Sequence, residues 1–240
     1  MESSLGSNFH TVEGNVTPPP EKPKKGFRSK TGSVIRFLKR FWYIVIAILL
    51  IVAGLITWQV IYSNQESAWK RTNDQFARAN YEAAYKEIEN MAVPADSERL
   101  RVYGQTMLAT RHLDKSLAAY QKLYDQKKDP SVKLIIGNIY NEQKKYDEAI
   151  KAYREVIADN KTNVQAYVNI ATVYKLQENA TEAAKIASEA VKENPTSVTL
   201  LELKVSMLMD NKNSPEYKAA VAELKKLNPQ DPLLQSLREV

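Results

Sequence analysis

The sequence repeats itself at a spacing of 34 residues, and this constrains the fold more than any other feature. When the stretch that begins at Ile136 is moved forward by 34 positions, it meets residues of similar type and size. The matched pairs are Ile136 with Ile170, Gly137 with Ala171, Tyr140 with Tyr174, Ala149 with Ala183, Lys151 with Lys185 and Glu155 with Glu189. An internal period of this length predicts one small structural unit that is stacked several times.

A preceding copy lies 33 residues upstream, and short polar segments separate the apolar ones. The matched pairs are Gly104 with Gly137, Asp114 with Asp147, Ala119 with Ala152 and Tyr120 with Tyr153. Polar segments such as TRHLD, QKKYD and QENAT stand between stretches that show little period-two alternation. From about residue 96 onward, this pattern predicts helices joined by short turns and therefore an all-α fold.

The period and the residues that recur resemble the tetratricopeptide repeat, whose pattern is W-x₂-L-G-x₂-Y…A-x₃-F…P. The central copy matches at Lys133, Ile136, Gly137, Tyr140, Ala149 and Tyr153. The next copy matches at Tyr167, Ile170, Ala171, Tyr174, Ala183, Ala187, Ala190 and Pro195. The resemblance covers about residues 64–231 and implies an α-solenoid of antiparallel helix pairs. The pattern departs in three ways: every copy lacks the opening Trp, Lys161 replaces one closing Pro, and Lys204 stands where an apolar residue is expected.

Small and aromatic residues of the repeat are interpreted as packing positions. Gly137 and Ala171 are predicted to lie where the two helices of a pair cross at close range. Tyr140, Tyr153 and Tyr174 are predicted to fill the gaps that these small residues leave between layers. The tyrosines could instead be binding groups. The earliest copy shows only its second helix clearly, from Tyr81, and the final DPLLQSLREV is predicted to be a partial helix that covers the last apolar face.

The resemblance also implies a concave groove, lined by the first helix of each pair, that takes extended peptides or partner helices. The implied groove residues are Arg101, Gln105, Leu134, Asn138, Asn141, Val168, Asn169, Thr172 and Lys175. Some family members grip a C-terminal carboxylate with two asparagines and several basic residues. Asn138 and Asn169 match the asparagines, but the basic positions hold Leu134, Thr199 and Leu203. The groove is therefore expected to suit an apolar or mixed peptide better than an acidic one.

A run of 22 residues without charge, from Phe41 to Tyr62, is predicted to cross a membrane. As a helix it would reach about 33 Å, which spans a hydrocarbon core of about 30 Å. Tryptophan and tyrosine stand at both of its ends, where aromatic rings favour the interfaces. A buried core helix and a cleaved signal peptide are the alternatives, but the run is long, and no clear cleavage site follows it.

The net charge of +6 lies mostly before this run. Residues 1–40 hold eight basic and three acidic side chains, whereas the other 200 residues hold 26 basic and 25 acidic ones. Basic flanks resist translocation, so the N-terminus is predicted to stay in the cytoplasm and the repeats to lie outside it. The same charges would attract anionic lipid. Membrane topology explains the excess, so binding of nucleic acid is not expected.

Three segments are predicted: a disordered basic tail (1–33), a transmembrane signal anchor with its basic flank (34–63) and a helical repeat domain (64–240). The tail is rich in Ser, Pro and Lys and is too polar to form a core. Its PPPEKP stretch could be a polyproline ligand, although a solvated tail explains it as well. The anchor helix is predicted to run on to about Ala79, with a turn near Asn80.

Catalysis, metals and cofactors are not expected. The chain has no cysteine, and its two histidines are His10, in the tail, and His112, in a turn where a cap role is expected. No HExxH, GxSxG or phosphate-binding glycine motif occurs.

The sequence therefore predicts a membrane-anchored scaffold or adaptor that binds proteins or peptides outside the cytoplasm, in a membrane protein complex that serves cell-envelope assembly, secretion or chaperone-like assistance. The alternative is a cytoplasm-facing membrane receptor that docks client proteins.

Overall fold

A computed structural model describes residues 31–237 of the chain. Within this range the helices are α1 (Thr31–Ala77), α2 (Tyr81–Ile88), α3 (Ser97–Ala109), α4 (Leu113–Lys127), α5 (Pro130–Glu142), α6 (Tyr146–Asp159), α7 (Val164–Leu176), α8 (Ala180–Glu193), α9 (Val198–Met207), α10 (Pro215–Leu227) and α11 (Pro232–Ser236), with a short 3₁₀ turn at Met209–Asn211. No strand occurs in the described residues. This confirms the all-α prediction. The predicted disorder of the tail concerns residues 1–33, of which 1–30 lie outside the described range.

The chain divides into two compact units between Val60 and Ile61. In the first unit, helix α1 exposes the apolar side chains of residues 41–60. The segment Lys39–Ala77 contains an 18-residue stretch with a mean hydropathy of 2.7, none of which is buried. By length and composition, it is the one helix of the described chain that is apolar enough to cross a membrane.

The second unit is a series of helix pairs stacked in chain order. The pairs are α3/α4, α5/α6, α7/α8 and α9/α10, and each helix packs on the next. Helix α7 also touches α5 and α9, so the first helices of these three successive pairs are neighbours. The stretch from residue 61 to the end of α1 supplies a first helix for α2. Its Trp69 and Thr72 are buried, and Arg71 forms an ion pair of 2.8 Å with Glu87 of α2.

The turns inside four of these pairs share one conformation. Each contains a non-glycine residue with a positive φ, between 54° and 64°: Ala79, Arg111, Lys144 and Glu178. The amide of the next residue donates to a carbonyl five positions back, and the four bonds are Asn80 to Gln75, His112 to Met107, Lys145 to Tyr140 and Asn179 to Tyr174, each 2.8–2.9 Å. These bonds satisfy carbonyls that a helix end leaves free. Helix α1 thus ends at Ala77, two residues before the predicted Ala79.

Capping side chains fix where the first helices begin. Each follows a residue whose side chain accepts a backbone amide of the first turn: Asp96, Asp129, Asn163 and Ser197. These residue types satisfy donors that a helix start leaves unpaired. The regular spacing of the caps therefore sets the spacing of the pairs.

The last pair departs from the others, as the sequence indicated. Helix α9 is only 10 residues long, and Lys204 on it is half-buried. The predicted partial helix at the end is α11, whose Leu234 joins the core. The fully buried Asp231 caps it by accepting the amide of Leu233 at 2.9 Å and Nδ2 of Asn228 at 3.0 Å.

Candidate functional site

Seven of the implied groove residues are polar or charged and lie on the first helices of three successive pairs, and the surface that these residues form is called the first-helix face here. Arg101 and Gln105 lie on α3, Asn138 and Asn141 on α5, and Asn169, Thr172 and Lys175 on α7. Helix α5 touches α7, so the side chains of these two helices can meet directly. The central pair, Asn138 and Asn169, does so.

A chain of hydrogen bonds between side-chain amides crosses from α7 to α5. Nε2 of Gln165 donates to Oδ1 of Asn169 at 2.7 Å. Nδ2 of Asn169 donates in turn to Oδ1 of Asn138 at 3.0 Å. The hydroxyl of Tyr153, on α6, donates to the same oxygen at 2.7 Å. Asn138 is therefore held as an acceptor by two donors.

The tyrosine in this chain reaches the face because glycine makes room for it. The ring of Tyr153 is 1% exposed and lies directly against Gly137, the residue before Asn138. The neighbouring pair repeats the arrangement: the ring of Tyr120 lies against Gly104, and its hydroxyl donates to Oε1 of Gln105 at 3.1 Å. In each of these two adjacent helix pairs, the hydroxyl of a buried tyrosine therefore orients a side-chain amide on the first-helix face.

Burial keeps both phenols protonated. Burial raises the pKa of the Tyr153 hydroxyl to about 12, against a smaller lowering by its hydrogen-bond contact with Asn169. Burial likewise raises the pKa of the Tyr120 hydroxyl to about 12, while the charge of Arg101 acts weakly in the opposite direction. A tyrosine hydroxyl is protonated at neutral pH in any case, and burial extends this to alkaline pH, so both groups are donors and the amide oxygens they contact are acceptors.

This bonding leaves amide donors available on the first-helix face. Among the described residues, Nδ2 of Asn138 and Nε2 of Gln105 have no hydrogen-bond partner within the chain. Asn138 is exposed, and Gln105 is half-buried. Fixed amide N–H groups that point to solvent are suited to carbonyl oxygens, which every peptide backbone offers at a regular spacing.

The remaining predicted residues do not join the central chain. Thr172 donates its hydroxyl to the carbonyl of Val168 at 2.8 Å, within its own helix. Asn141 is half-buried, and its Oδ1 has no hydrogen-bond partner in the described part of the chain. Lys175 lines a separate crevice of about 260 Å³ with Met207 and Asp210. The charge of Arg101 acts on Tyr120 and is a minor cause of the lowered pKa of Asp129, which comes first from hydrogen bonds of Ser131.

Sequence reasoning missed Gln165 and the role of the tyrosine hydroxyls. The signal was present, because Tyr120 follows Gln105 by 15 positions and Tyr153 follows Asn138 by the same distance. In the next copy, Thr172 and Ala187 hold the positions of Asn138 and Tyr153, so the pair of amide and tyrosine does not recur there.

The positions that carry basic residues in carboxylate-gripping family members offer no charge. Leu134 and Leu203 are partly buried and pack against the core. Thr199 is exposed but neutral. None of these three positions therefore supplies a cation that would neutralise an anionic chain end.

The described residues contain no group of three side chains that could hold a metal ion. His112 lies at the N-terminal cap of α4 without capping it by its side chain. Its ring instead stacks on Tyr85, with ring centroids 4.2 Å apart, and its Nδ1 lies 3.0 Å from the hydroxyl of Thr110. The ring is thus engaged in packing.

Comparison with known proteins supports the fold of stacked helix pairs. Residues 137–177 match the model of the TPR repeat. A tetratricopeptide repeat protein from Parabacteroides merdae is similar in structure, with a TM-score of 0.54 at 16% identity over 73% of this chain and 71% of that one. The fold is a tetratricopeptide-like α-solenoid.

Structures of MamA are similar as well. MamA residues 41 to the end from Desulfovibrio magneticus RS-1 align with a TM-score of 0.52 at 15% identity, over 74% of this chain and 98% of that one. A double mutant of MamA from RS-1 aligns with a TM-score of 0.53 at 15% identity, over 70% of this chain and 97% of that one. No curated protein sequence matches the chain. Similarity at this level of identity establishes the solenoid fold, and function has to be argued from the site.

Proposed function

We propose that this protein is a non-enzymatic scaffold that binds a segment of another polypeptide along the first-helix face. One observation carries the proposal: the hydrogen-bonded chain from Gln165 through Asn169 to Asn138 and Tyr153, which leaves Nδ2 of Asn138 as an oriented donor. A peptide in extended conformation presents carbonyl groups to such a donor. Because Leu134, Thr199 and Leu203 stand where a site for a chain-end carboxylate would need cations, the bound segment is apolar or mixed, and the site contacts its backbone rather than its C-terminal carboxylate.

One substitution tests this site, and a second serves as its control. In Asn138→Asp, the two donors that hold Oδ1 keep an acceptor, but the outward N–H is lost. We expect unchanged thermal unfolding and loss of partner binding. Lys151→Gln, on the exposed surface of α6, is the matched control.

Binding is measured with a photoreactive side chain in place of Thr172, which is exposed and lies one turn beyond Asn169. Irradiation of intact membranes should give a discrete adduct that mass spectrometry identifies and that Asn138→Asp abolishes. An adduct that forms equally in the Asn138→Asp variant would contradict the role of this face.

The same proposal includes a membrane anchor. We infer a basic tail at 1–33, a single span with its flank at 34–63 and a repeat domain at 64–240. Exposure of the apolar side chains along residues 41–62 supports the span, since a core helix would bury them. The basic flank at Arg36, Lys39 and Arg40 favours a cytoplasmic N-terminus, contact with anionic lipid and an extracytoplasmic repeat domain.

Orientation is tested by labelling, which the absence of native cysteine makes simple. Lys161→Cys lies in an exposed turn between α6 and α7, and Ser4→Cys lies in the tail. A membrane-impermeant maleimide applied on the extracytoplasmic side should label the first and reach the second only after the membrane is permeabilised. The reverse pattern would favour the cytoplasm-facing receptor.

The inferred partners are proteins of the cell envelope, in a membrane complex that assists assembly, secretion or chaperoning. The low net charge of residues 41–240 supports a polypeptide partner over nucleic acid. Deletion of residues 1–30 should leave the set of crosslinked partners unchanged if the tail serves topology alone.

A further inference from the structure

Two crevices occupy equivalent places in the solenoid and differ in charge. One lies between α4 and α6 over α5, with a volume of about 420 Å³, and Asp125, Ile136 and Glu155 contribute to it. The other lies between α8 and α10 over α9, with a volume of about 450 Å³. Its corresponding residues are Lys192, Lys204 and Glu223, each 67 or 68 positions further along the chain, which is two repeat lengths.

In the crevice over α5, a lining lysine is paired with a lining carboxylate. Nζ of Lys133 lies 2.5 Å from Oε2 of Glu155 and 4.1 Å from the ring centroid of Tyr124. Its floor is Ile136, which is 4% exposed. Carboxylates outnumber ammonium groups by three to two among the lining residues. Because carboxylates are in excess, this crevice does not favour the binding of an anion.

The crevice over α9, here named the basic crevice, has the opposite balance. Lys192, Lys204 and Lys226 line it with a single carboxylate, that of Glu223. Among the described residues, none of these four groups takes part in an ion pair within the chain. Lys204 is half-buried and stands where the equivalent position holds the buried Ile136, so a lysine replaces an apolar core residue at this crevice.

The walls of the basic crevice are partly apolar. Val191, Pro195 and Leu227 line it beside the lysines, and Leu227 is 44% exposed. A cavity of this volume is much larger than a single inorganic ion. A ligand that matches it therefore combines negative charge with an apolar group, which a pair of neighbouring side chains in a polypeptide provides.

We propose that the basic crevice binds an acidic segment of a partner polypeptide, in which a carboxylate lies beside an apolar side chain. The carboxylate neutralises the lysines, and the apolar group covers Val191 and Leu227. None of the nine implied groove residues lines this crevice, so it is a second binding surface, separate from the first-helix face.

The test uses the full chain in detergent micelles and a fluorescein-labelled peptide of alternating Glu and Leu, with a Gln–Leu peptide as its matched control. Fluorescence anisotropy should show saturable binding of the Glu–Leu peptide that weakens as salt is added. Lys192→Gln/Lys226→Gln should weaken this binding at least about tenfold, because both charge-assisted contacts are lost. Lys151→Gln, in the other crevice, should not change it.

Substitution of Lys204 separates a binding role from a structural one. Lys204→Ile restores the apolar residue of the equivalent position, so it should raise the unfolding temperature and weaken peptide binding together. A raised unfolding temperature with unchanged affinity would contradict the proposal, as would equal binding of the Gln–Leu peptide.

Anionic lipid is the competing occupant. Vesicles of phosphatidylglycerol that bind in a manner dependent on Lys192 and Lys226, without any binding of the Glu–Leu peptide, would overturn the polypeptide assignment. Asn138→Asp should leave binding of the Glu–Leu peptide unchanged, so this test does not depend on the first-helix face.

Discussion

The phenol ring of Tyr153 occupies the space that a β-carbon on Gly137 would need. Such a carbon would lie 2.8 Å from Cδ1 of the ring, closer than real contacts allow. Glycine is therefore required here by a side chain rather than by backbone strain or by the crossing of two backbones. In the next copy, Ala171 replaces the glycine and Ala187 replaces the tyrosine, and both are fully buried. The next copy therefore packs the same crossing with two small side chains instead of a glycine and a large ring.

The first prediction is a strong coupling between Gly137 and Tyr153. Gly137→Ala alone should lower the free energy of unfolding by about 1–3 kcal/mol, because the ring has to move. Tyr153→Ala alone should lower it by about 3–5 kcal/mol through the cavity that it leaves. The double variant should lose less than the sum of the two, by roughly 1 kcal/mol or more, since the next copy already packs two alanines.

The measurement is a double-mutant cycle in denaturant on the full chain in detergent. Gly137→Ala combined with Tyr120→Ala serves as the control, because Tyr120 contacts Gly104 instead. That pair should be additive. Additivity of the Gly137 and Tyr153 pair would contradict the contact.

The second prediction concerns the left-handed turns. Lys144 has a φ of 60°, a region that costs a residue with a side chain about 1–2 kcal/mol and glycine little. Lys144→Gly should therefore raise the free energy of unfolding by about 0.5–1 kcal/mol, once the greater freedom of glycine in the unfolded chain is subtracted.

The matched control is Lys151→Gly, in the middle of α6, where glycine should instead lower stability by about 1 kcal/mol. Equal effects of the two substitutions on the thermal unfolding temperature would show that the turn does not favour glycine.

The third prediction is a loss of stability at alkaline pH through Tyr120 and Tyr153. Burial raises the pKa of each hydroxyl to about 12 in the folded protein, while an unfolded tyrosine has a pKa of about 10. Between these values the unfolded chain releases protons that the folded chain retains, so the unfolded state is favoured as pH rises. The stabilising effect is complete below pH 10 and is lost towards pH 12.

Tyr120→Phe/Tyr153→Phe lacks both groups and should show a shallower fall of the unfolding temperature across this window. At neutral pH the same variant should be less stable than the parent, because each phenylalanine loses a hydrogen bond to an amide on the first-helix face. Parallel pH profiles of the two proteins would contradict the assignment.

Much of the fold follows from internal comparison of the sequence, whereas some of the contacts that refine it do not. A shift of 34 residues aligns Gly137 with Ala171, and this was enough to predict helix pairs. The prediction that tyrosines fill the gaps left by the small residues is confirmed at Gly137, where the ring of Tyr153 lies, but Ala171 has Ala187 in the position equivalent to Tyr153. The left-handed turn at Lys144 gave no signal, since glycine and asparagine usually mark that conformation.

The candidate site shows the same division. The resemblance to a family placed Asn138 and Asn169 on one surface, and the structure joins them directly at 3.0 Å. It also grouped Lys175 with them, although that residue lies at a crevice near Met207. Position within a repeat fixes which face a residue occupies, but hydrogen bonding between helices depends on side-chain lengths that the period does not encode. Gln165 was missed for this reason.

The final prediction concerns a hydroxyl buried without a partner. Thr106 is fully buried on α3, and its Oγ1 makes no hydrogen bond within the described chain. The equivalent positions in the next two copies hold Ile139 and Val173, which are also fully buried. Thr106→Val keeps the shape of the side chain and removes the unpaired group, so it should raise the free energy of unfolding by about 1 kcal/mol.

Thr110 is the matched control because it lies one turn further along the chain and its hydroxyl is bonded. That hydroxyl donates to the carbonyl of Thr106 at 2.8 Å and lies 3.0 Å from Nδ1 of His112. Thr110→Val should therefore lower stability where Thr106→Val raises it, and thermal unfolding of the two variants side by side measures the difference. If Thr106→Val destabilises the protein, the hydroxyl has a partner such as a buried water molecule, and its burial is then compensated rather than costly.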